Sequence, residues 1–376
     1  MRIALFCHTL LSDWNHGNAH FLRGICSELV DRGHDVQVFE PCDAWSLENL
    51  IRHEGRGSIA RLRSVYPFLE PIRYELASFD LDEALDGVDL AIVHEWNPPE
   101  LVQQLSRRRL RGNQTRLLFH DTHHRMVTAP EAMARYDLSG FDGVLAFGAI
   151  LRDLYLERGK AKRAWVWHEA ADTKVFRPLP FDGEKRSLVW IGNWGDEERT
   201  AELREFLFEP CRELKLDATV HGVRYPQTAL DQLRRFGLKF RGWIPNFEVP
   251  QVLARHRLSV HVPRRPYAKA LPGIPTIRPF EVMACGVPLV SAPWDDTEGL
   301  FVEGRDYLVA KNGREMRDLL RMLLADEELA RSIGESGRRR ILERHGCAHR
   351  VDELLAIAEE LGLRTGPQQE QANAGA

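Results

Sequence analysis

Residues 2–39 read RIALFCHTLLSDWNHGNAHFLRGICSELVDRGHDVQVF, and this stretch decides the fold. Arg2-Ile3-Ala4-Leu5-Phe6-Cys7 is an apolar run of strand length, followed by a polar loop from His8 to Gly17. Phe21, Leu22, Ile25, Leu29 and Val30 then recur at helical spacing, and Gly33 supplies the residue that commonly ends a helix. Asp35-Val36-Gln37-Val38-Phe39 is the next strand. Strand, crossover helix and strand make one right-handed βαβ unit, which puts both strands in a parallel sheet.

The pattern continues outward from this unit. Apolar runs of strand length recur at Val88–Val93, Thr115–Phe119, Gly143–Phe147 and Ala164–Trp167, which predicts a doubly wound domain over residues 1–175. A second set begins at Ser187–Ile191 and continues at Asp217–Val220, Leu258–Val262, Val287–Val290 and Tyr307–Val309, giving a second domain over 176–345. Asp172-Thr173-Lys174-Val175-Phe176-Arg177-Pro178-Leu179-Pro180 lies between the sets, and its prolines suit an extended connection. The expectation is two α/β domains facing one another, a helix over 346–364 that packs back on the first domain, and a disordered tail over 365–376. Residues 52–75 interleave Arg52, Arg56, Arg61, Arg63 and Arg73 with Tyr66, Phe68 and Tyr74. They read as an amphipathic surface insertion, or as a docking face for an anionic or lipid-linked acceptor.

Composition narrows the function. The 376 residues are 44% hydrophobic and 28% charged, with 51 Lys plus Arg against 55 Asp plus Glu, a net charge of −4. That balance lacks the electrostatic footprint of a dedicated nucleic-acid binder. No run approaches the roughly 18 apolar residues of a membrane span, and no secretory signal pattern follows Cys7. The 6 cysteines are scattered without a Cys-x-x-Cys pair, so neither a disulfide framework nor a zinc cluster is expected. A cytoplasmic protein with at most peripheral contact to the inner membrane face fits these facts.

In open parallel sheets, ligands collect at the carboxyl ends of strands. Gly17-Asn18 opens a helix whose free N–H groups favour an anion. His94-Glu95 and His120-Asp121-Thr122-His123-His124 follow two other strands. The last run invites a metal-cluster reading, but no second carboxylate pair completes a ligand shell, and imidazoles hydrogen-bonding a ligand or the facing loops is the preferred reading. In the second domain, Gly192-Asn193-Trp194-Gly195 allows close backbone approach, and Arg199 can pair with phosphate. Trp243-Ile244 offers an aromatic surface for a planar base. The most informative segment runs from Pro263 to Pro288: Arg264, Arg265, Lys269 and Arg278 surround Gly273 and lead into a helix near Thr276–Cys285, with Thr276 as its cap and Glu281 inside it.

Phe280-Glu281-Val282-Met283-Ala284-Cys285-Gly286-Val287-Pro288-Leu289-Val290 resembles the nucleotide-sugar signature of GT-B glycosyltransferases. Val175-Phe176-Arg177-Pro178 is similar to that fold's interdomain linker, and Phe240–Pro245 to its base-binding turn. The resemblance spans nearly the whole chain and points to the group 1/4-like transferases, CgeB-like spore-maturation relatives included. It implies two Rossmann-like doubly wound domains across a cleft, and a cytoplasmic transferase of polysaccharide biosynthesis. The implied partners are a nucleotide-diphosphate-sugar donor and a glycan, lipid-linked or small-molecule acceptor, with no metal or other cofactor and no nucleic acid. By the same resemblance, Glu281 binds the donor ribose, Gly273 to Thr276 with Arg278 approach the diphosphate or sugar, Gly192 to Gly195 and Arg199 flank the pyrophosphate, and Trp243-Ile244 hold the base. Gly17-Asn18 and His120-Asp121 face the transferred sugar and acceptor. One departure stands out: retaining members carry a second Glu eight positions before the ribose-binding one, and here 281 − 8 = 273 is Gly273. Inversion with a protein base is therefore open; His120, oriented by Asp121, is the favoured base and Asp13 the runner-up, with Glu95 also a candidate. A nucleotide-sugar epimerase of the same fold and a catalytically silent sugar-nucleotide binder are the rival readings.

Overall fold

A computed structural model describes residues 1–366. The expected disordered tail lies outside them from residue 367 onward. The first domain is a seven-stranded sheet of β1 (Arg2–Phe6), β2 (Asp35–Pro41), β3 (Ile72–Tyr74), β4 (Leu90–His94), β5 (Arg116–Asp121), β6 (Gly143–Ala146) and β7 (Ala164–Val166), in the order β3-β2-β1-β4-β5-β6-β7. The second is a six-stranded sheet of β8 (Arg186–Ile191), β9 (Ala218–His221), β10 (Lys239–Phe240), β11 (His256–His261), β12 (Leu289–Ser291) and β13 (Leu308–Val309), in the order β10-β9-β8-β11-β12-β13. Every pairing is parallel, as the opening βαβ unit requires. Strand order reverses between β1 and β4 and again between β8 and β11, which opens a crevice at each point. The two crevices face one another.

Ile3, Leu5, Leu22, Ile25 and Leu29 are buried in one continuous core that also takes in Phe280, Val282, Val351 and Leu354. The helix Cys347–Glu360 thus lies against the first domain, on the helix Ala19–Asp31. Trp167 Nε1 donates to the Arg350 carbonyl at 2.8 Å, and Arg32 pairs with Asp352. A Cβ on Gly24 would sit 2.5 Å from Cys347 Sγ, so only glycine admits this helix.

Two local expectations change. Residues 52–75 are not a free insertion: they complete the helix Trp45–Glu54, form the helix Gly57–Val65 and supply β3. Tyr66 is buried there and donates from its hydroxyl to Asp172 at 3.0 Å, because its ring fills the gap beside the interdomain connection. The connection itself starts as a turn, with the N–H of Phe176 on the Asp172 carbonyl at 2.7 Å, and extends only after it.

Candidate active site

The facing crevices enclose a cavity of about 300 Å³. Its first-domain wall comes from Asn15 to Asn18 at the mouth of the helix Ala19–Asp31, with Thr122, His123 and Glu169 beyond β5 and β7. Its second-domain wall comes from Gly192, Asn193 and Arg199 after β8, Arg264 after β11, and Thr276 to Arg278 at the start of the helix Ile277–Ala284. A smaller recess of about 70 Å³ adjoins it, lined by Gly222, Trp243, Ile244 and Asn246.

Four arginines line the cavity, Arg199, Arg224, Arg264 and Arg278. Arg199 is half-buried against the ring of Trp190, 5.1 Å from its centroid, and donates to the Asn193 and Val262 carbonyls. Burial, and then the neighbouring Arg264, push its pKa down to about 9. A partly desolvated cation pressed by a second cation lowers its free energy by taking an anion. Arg264 pairs with Glu198 at 2.8 Å, and Arg278 pairs with Glu281. Thr276 occupies the N-cap position at φ +62°, yet its side chain makes no capping bond, which corrects the expected cap. A β-branched residue is disfavoured there by about 1–3 kcal/mol. The strain leaves the N–H groups of Ile277 and Arg278 uncapped at the cavity wall, a backbone anion site beside the guanidiniums.

The domains are clasped together around this cavity. Asp13 Oδ2 accepts from Arg23 at 2.8 Å and from the backbone N–H of Asn246, across the cleft, at 3.1 Å. Glu281 Oε1 meets His20 Nδ1 of the first domain at 2.7 Å and accepts from Asn246 Nδ2 at 3.1 Å. Asn193 and Asn15 join their side-chain amides over the cavity mouth.

Residues 199–356 match a family described as glycosyl transferase-like. Solved structures align over nearly the full chain at low identity. HepE of Anabaena, solved with UDP, is 16% identical with a TM-score of 0.66, covering 96% of this chain and 100% of its own. Sucrose-phosphate synthase of Thermosynechococcus elongatus is 16% identical with a TM-score of 0.63, covering 96% and 99%. A UDP-N-acetylglucosamine 2-epimerase from Listeria monocytogenes, so named only provisionally, is 12% identical with a TM-score of 0.59, covering 98% of each chain. The chain has the GT-B glycosyltransferase fold. No curated protein sequence matches it.

Within the GT-B cleft, Gly17, Asn18, Gly192, Asn193, Arg199, Thr276 and Arg278 line the main cavity, and Trp243 and Ile244 line the recess. Other candidates lie elsewhere. Arg265 points outward to Glu202 at 2.7 Å, and Lys269 is exposed on the same outer turn. Gly273 is buried at φ +87°, a backbone conformation that strains any side chain, and a Cβ there would also lie 2.7 Å from Glu298 Oε1. Glu281 is fully buried and lines neither space; its carboxylate holds Arg278 and the two clasp residues instead of standing open to a ribose.

The favoured bases are also displaced from the cavity. Along β5 side chains alternate, and His120 turns into the layer under Trp167, with ring centroids 4.8 Å apart. Burial pushes it down to about 3, so it is a neutral packing imidazole. Asp121 accepts from the Tyr155 hydroxyl at 2.6 Å and from the His123 N–H at 3.0 Å, fixing the loop instead of facing solvent. Asp13 reaches only the recess and is held by Arg23, while Glu95 is buried against Arg125. No group of three His, Cys, Asp or Glu among the described residues is arranged to hold a metal. Sequence reasoning missed Glu169, His16 and Tyr267 on the cavity wall, because nothing in their local spacing distinguishes them.

Proposed function

We propose that this protein transfers a glycosyl group from a nucleoside-diphosphate sugar to a hydroxyl of a glycan, lipid-linked or small-molecule acceptor, without a metal ion. The observation that carries the reading is the convergence of Arg199, Arg264 and Arg278 with the uncapped start of the helix Ile277–Ala284 on one interdomain cavity. Together they form a diphosphate cradle: fixed positive charge and backbone donors stabilise a leaving diphosphate with no reorganisation. The recess with Trp243 and Ile244 continues from it and suits a nucleoside base. The Anabaena neighbour was solved with UDP and with UDP-glucose, which makes uridine donors the first to try.

The test is a thermal-shift screen against UDP, GDP, ADP, CMP and dTDP sugars, followed by turnover with the best binder. UDP-sugar stabilisation with slow sugar release supports transfer; interconversion of the sugar without release supports the epimerase reading instead. Arg199→Ala should weaken UDP by about 10–100-fold, the equivalent of one charge-assisted hydrogen bond of roughly 1.5–3 kcal/mol. Unchanged UDP affinity in a folded Arg199→Ala protein would remove the cradle.

A further inference from the structure

Glu169 is the one carboxylate among the described residues that line the main cavity. It follows β7, where the chain turns toward the second domain, and only 5% of it is exposed. No described residue gives it a hydrogen bond or an ion pair. A buried carboxyl without a protein partner is costly, and one that opens on a ligand cavity is a group kept for the ligand. The candidates drawn from sequence are all engaged elsewhere, with His120 packed under Trp167, Asp121 on Tyr155 and Asp13 on Arg23.

We propose that Glu169 accepts the proton of the hydroxyl that attacks the donor sugar, a reading that rests on the glycosyl transfer proposed above. The attacking oxygen bonds to the anomeric carbon as the bond from that carbon to the diphosphate oxygen breaks. The electron pair leaves on the diphosphate, beside Arg199, Arg264 and Arg278, and the hydroxyl proton passes to the Glu169 carboxylate. A single displacement of this kind inverts the anomeric carbon.

The electrostatics around Glu169 suit the task. Burial, and then the nearby Glu281 carboxylate, push it up to about 8, so it is strongly basic when ionised and a working fraction is ionised near neutrality. The imidazoles on the same wall do not compete: burial pushes His123 down to about 2 and His16 well below its usual range. Tyr267, close to Glu169, is raised by burial and stays protonated, and Arg199, lowered to about 9, keeps its charge between pH 6 and 8.

The experiment follows two reactions of UDP-glucose, hydrolysis and azidolysis, in the wild type and in Glu169→Gln. Water must lose a proton as it attacks, whereas azide has none to lose. The expected result is a loss of about 10²–10⁴ in hydrolysis for Glu169→Gln, with azidolysis reduced less than about tenfold and UDP affinity within about twofold by calorimetry. In the wild type, hydrolysis should rise with pH through an apparent pKa near 8 while azidolysis stays flat, and the glucosyl azide should have the anomeric configuration opposite to the donor's. Near-wild-type hydrolysis in Glu169→Gln, an equal loss of both reactions, parallel pH profiles or a retained product each overturns the assignment. The pH profiles need only the wild type and decide the matter if the variant does not fold. A wild type that binds UDP but releases glucose to neither nucleophile removes the transfer reading as well; a wild type that turns over alongside an unimpaired variant removes Glu169 alone.

Discussion

Glu281 ties the two domains together from a buried position outside the cavity. Burial by itself would raise its pKa, but Arg278, His20 and Asn246 together hold it below the usual carboxylate range. Stability from such a depressed carboxylate is fully present above its unfolded pKa of about 4.3 and is lost as pH falls through the lower folded value. Glu281→Ala strips the counter-charge from the buried side of Arg278 and frees His20 and Asn246. A loss of about 3–5 kcal/mol in urea unfolding at pH 7 is expected, with the gap to the wild type closing below about pH 4. A variant as stable as the wild type at pH 7 would contradict the clasp. Glu169 is the opposite case. Its raised pKa means that stability present below about 4.3 is lost as pH rises toward its folded value, so Glu169→Gln should melt higher than the wild type at pH 8 and close to it at pH 4. Equal melting temperatures at both pH values would show that this carboxyl carries no burial cost.

At the scale of elements, the helix Ile277–Ala284 and the helix Ala19–Asp31 both begin at the cavity, and neither has a side-chain cap. Asn18 instead spends its amide on Thr122 at 2.6 Å, tying the loops after β1 and β5 together. Thr276 is held at φ +62°, and Thr276→Gly should relieve that strain, stabilising the protein by about 1 kcal/mol while loosening UDP binding. Paired urea titrations and calorimetry would show this; a destabilised glycine variant would mean the threonine side chain earns its place by packing. The contact between the helices Ala19–Asp31 and Cys347–Glu360 depends on Gly24. Gly24→Leu should push the last helix away and cost several kcal/mol, on the scale of overpacking at about 1–3 kcal/mol plus lost core burial. Exposure of Trp167, which lies beneath that helix, should appear as a red-shifted fluorescence spectrum.

For the whole molecule, the proposed diphosphate cradle is shared by elements after β8, after β11 and at one helix start, and it is closed from the other side by the first domain. If the cavity's guanidiniums and two backbone N–H groups neutralise the leaving group, EDTA should leave turnover essentially intact; an absolute requirement for magnesium or manganese would refute that account. Sequence alone determined much of this architecture. The repeated apolar runs separated by helical periodicity fix two parallel sheets, since a strand that alternates with a crossover helix has nowhere else to pair. Gly192, Asn193, Arg199, Thr276 and Arg278 were legible as cavity residues because each follows a strand or opens a helix, and strand ends in parallel sheets converge. What tertiary structure alone decided is which way each polar side chain turns. His120 and Asp121 sit at a strand end as expected, yet the alternation of β5 and its packing on Trp167 and Tyr155 direct them away from the cavity. Glu281 lies on the predicted helix, but the first domain's His20 closes over it. Glu169 carries no local signal, and it becomes a cavity residue only because loops from both domains, from Asn15 to Arg278, meet around it. Strand and helix follow from spacing along the chain, whereas a side chain's partner depends on contacts between residues tens to hundreds of positions apart, which no local pattern encodes.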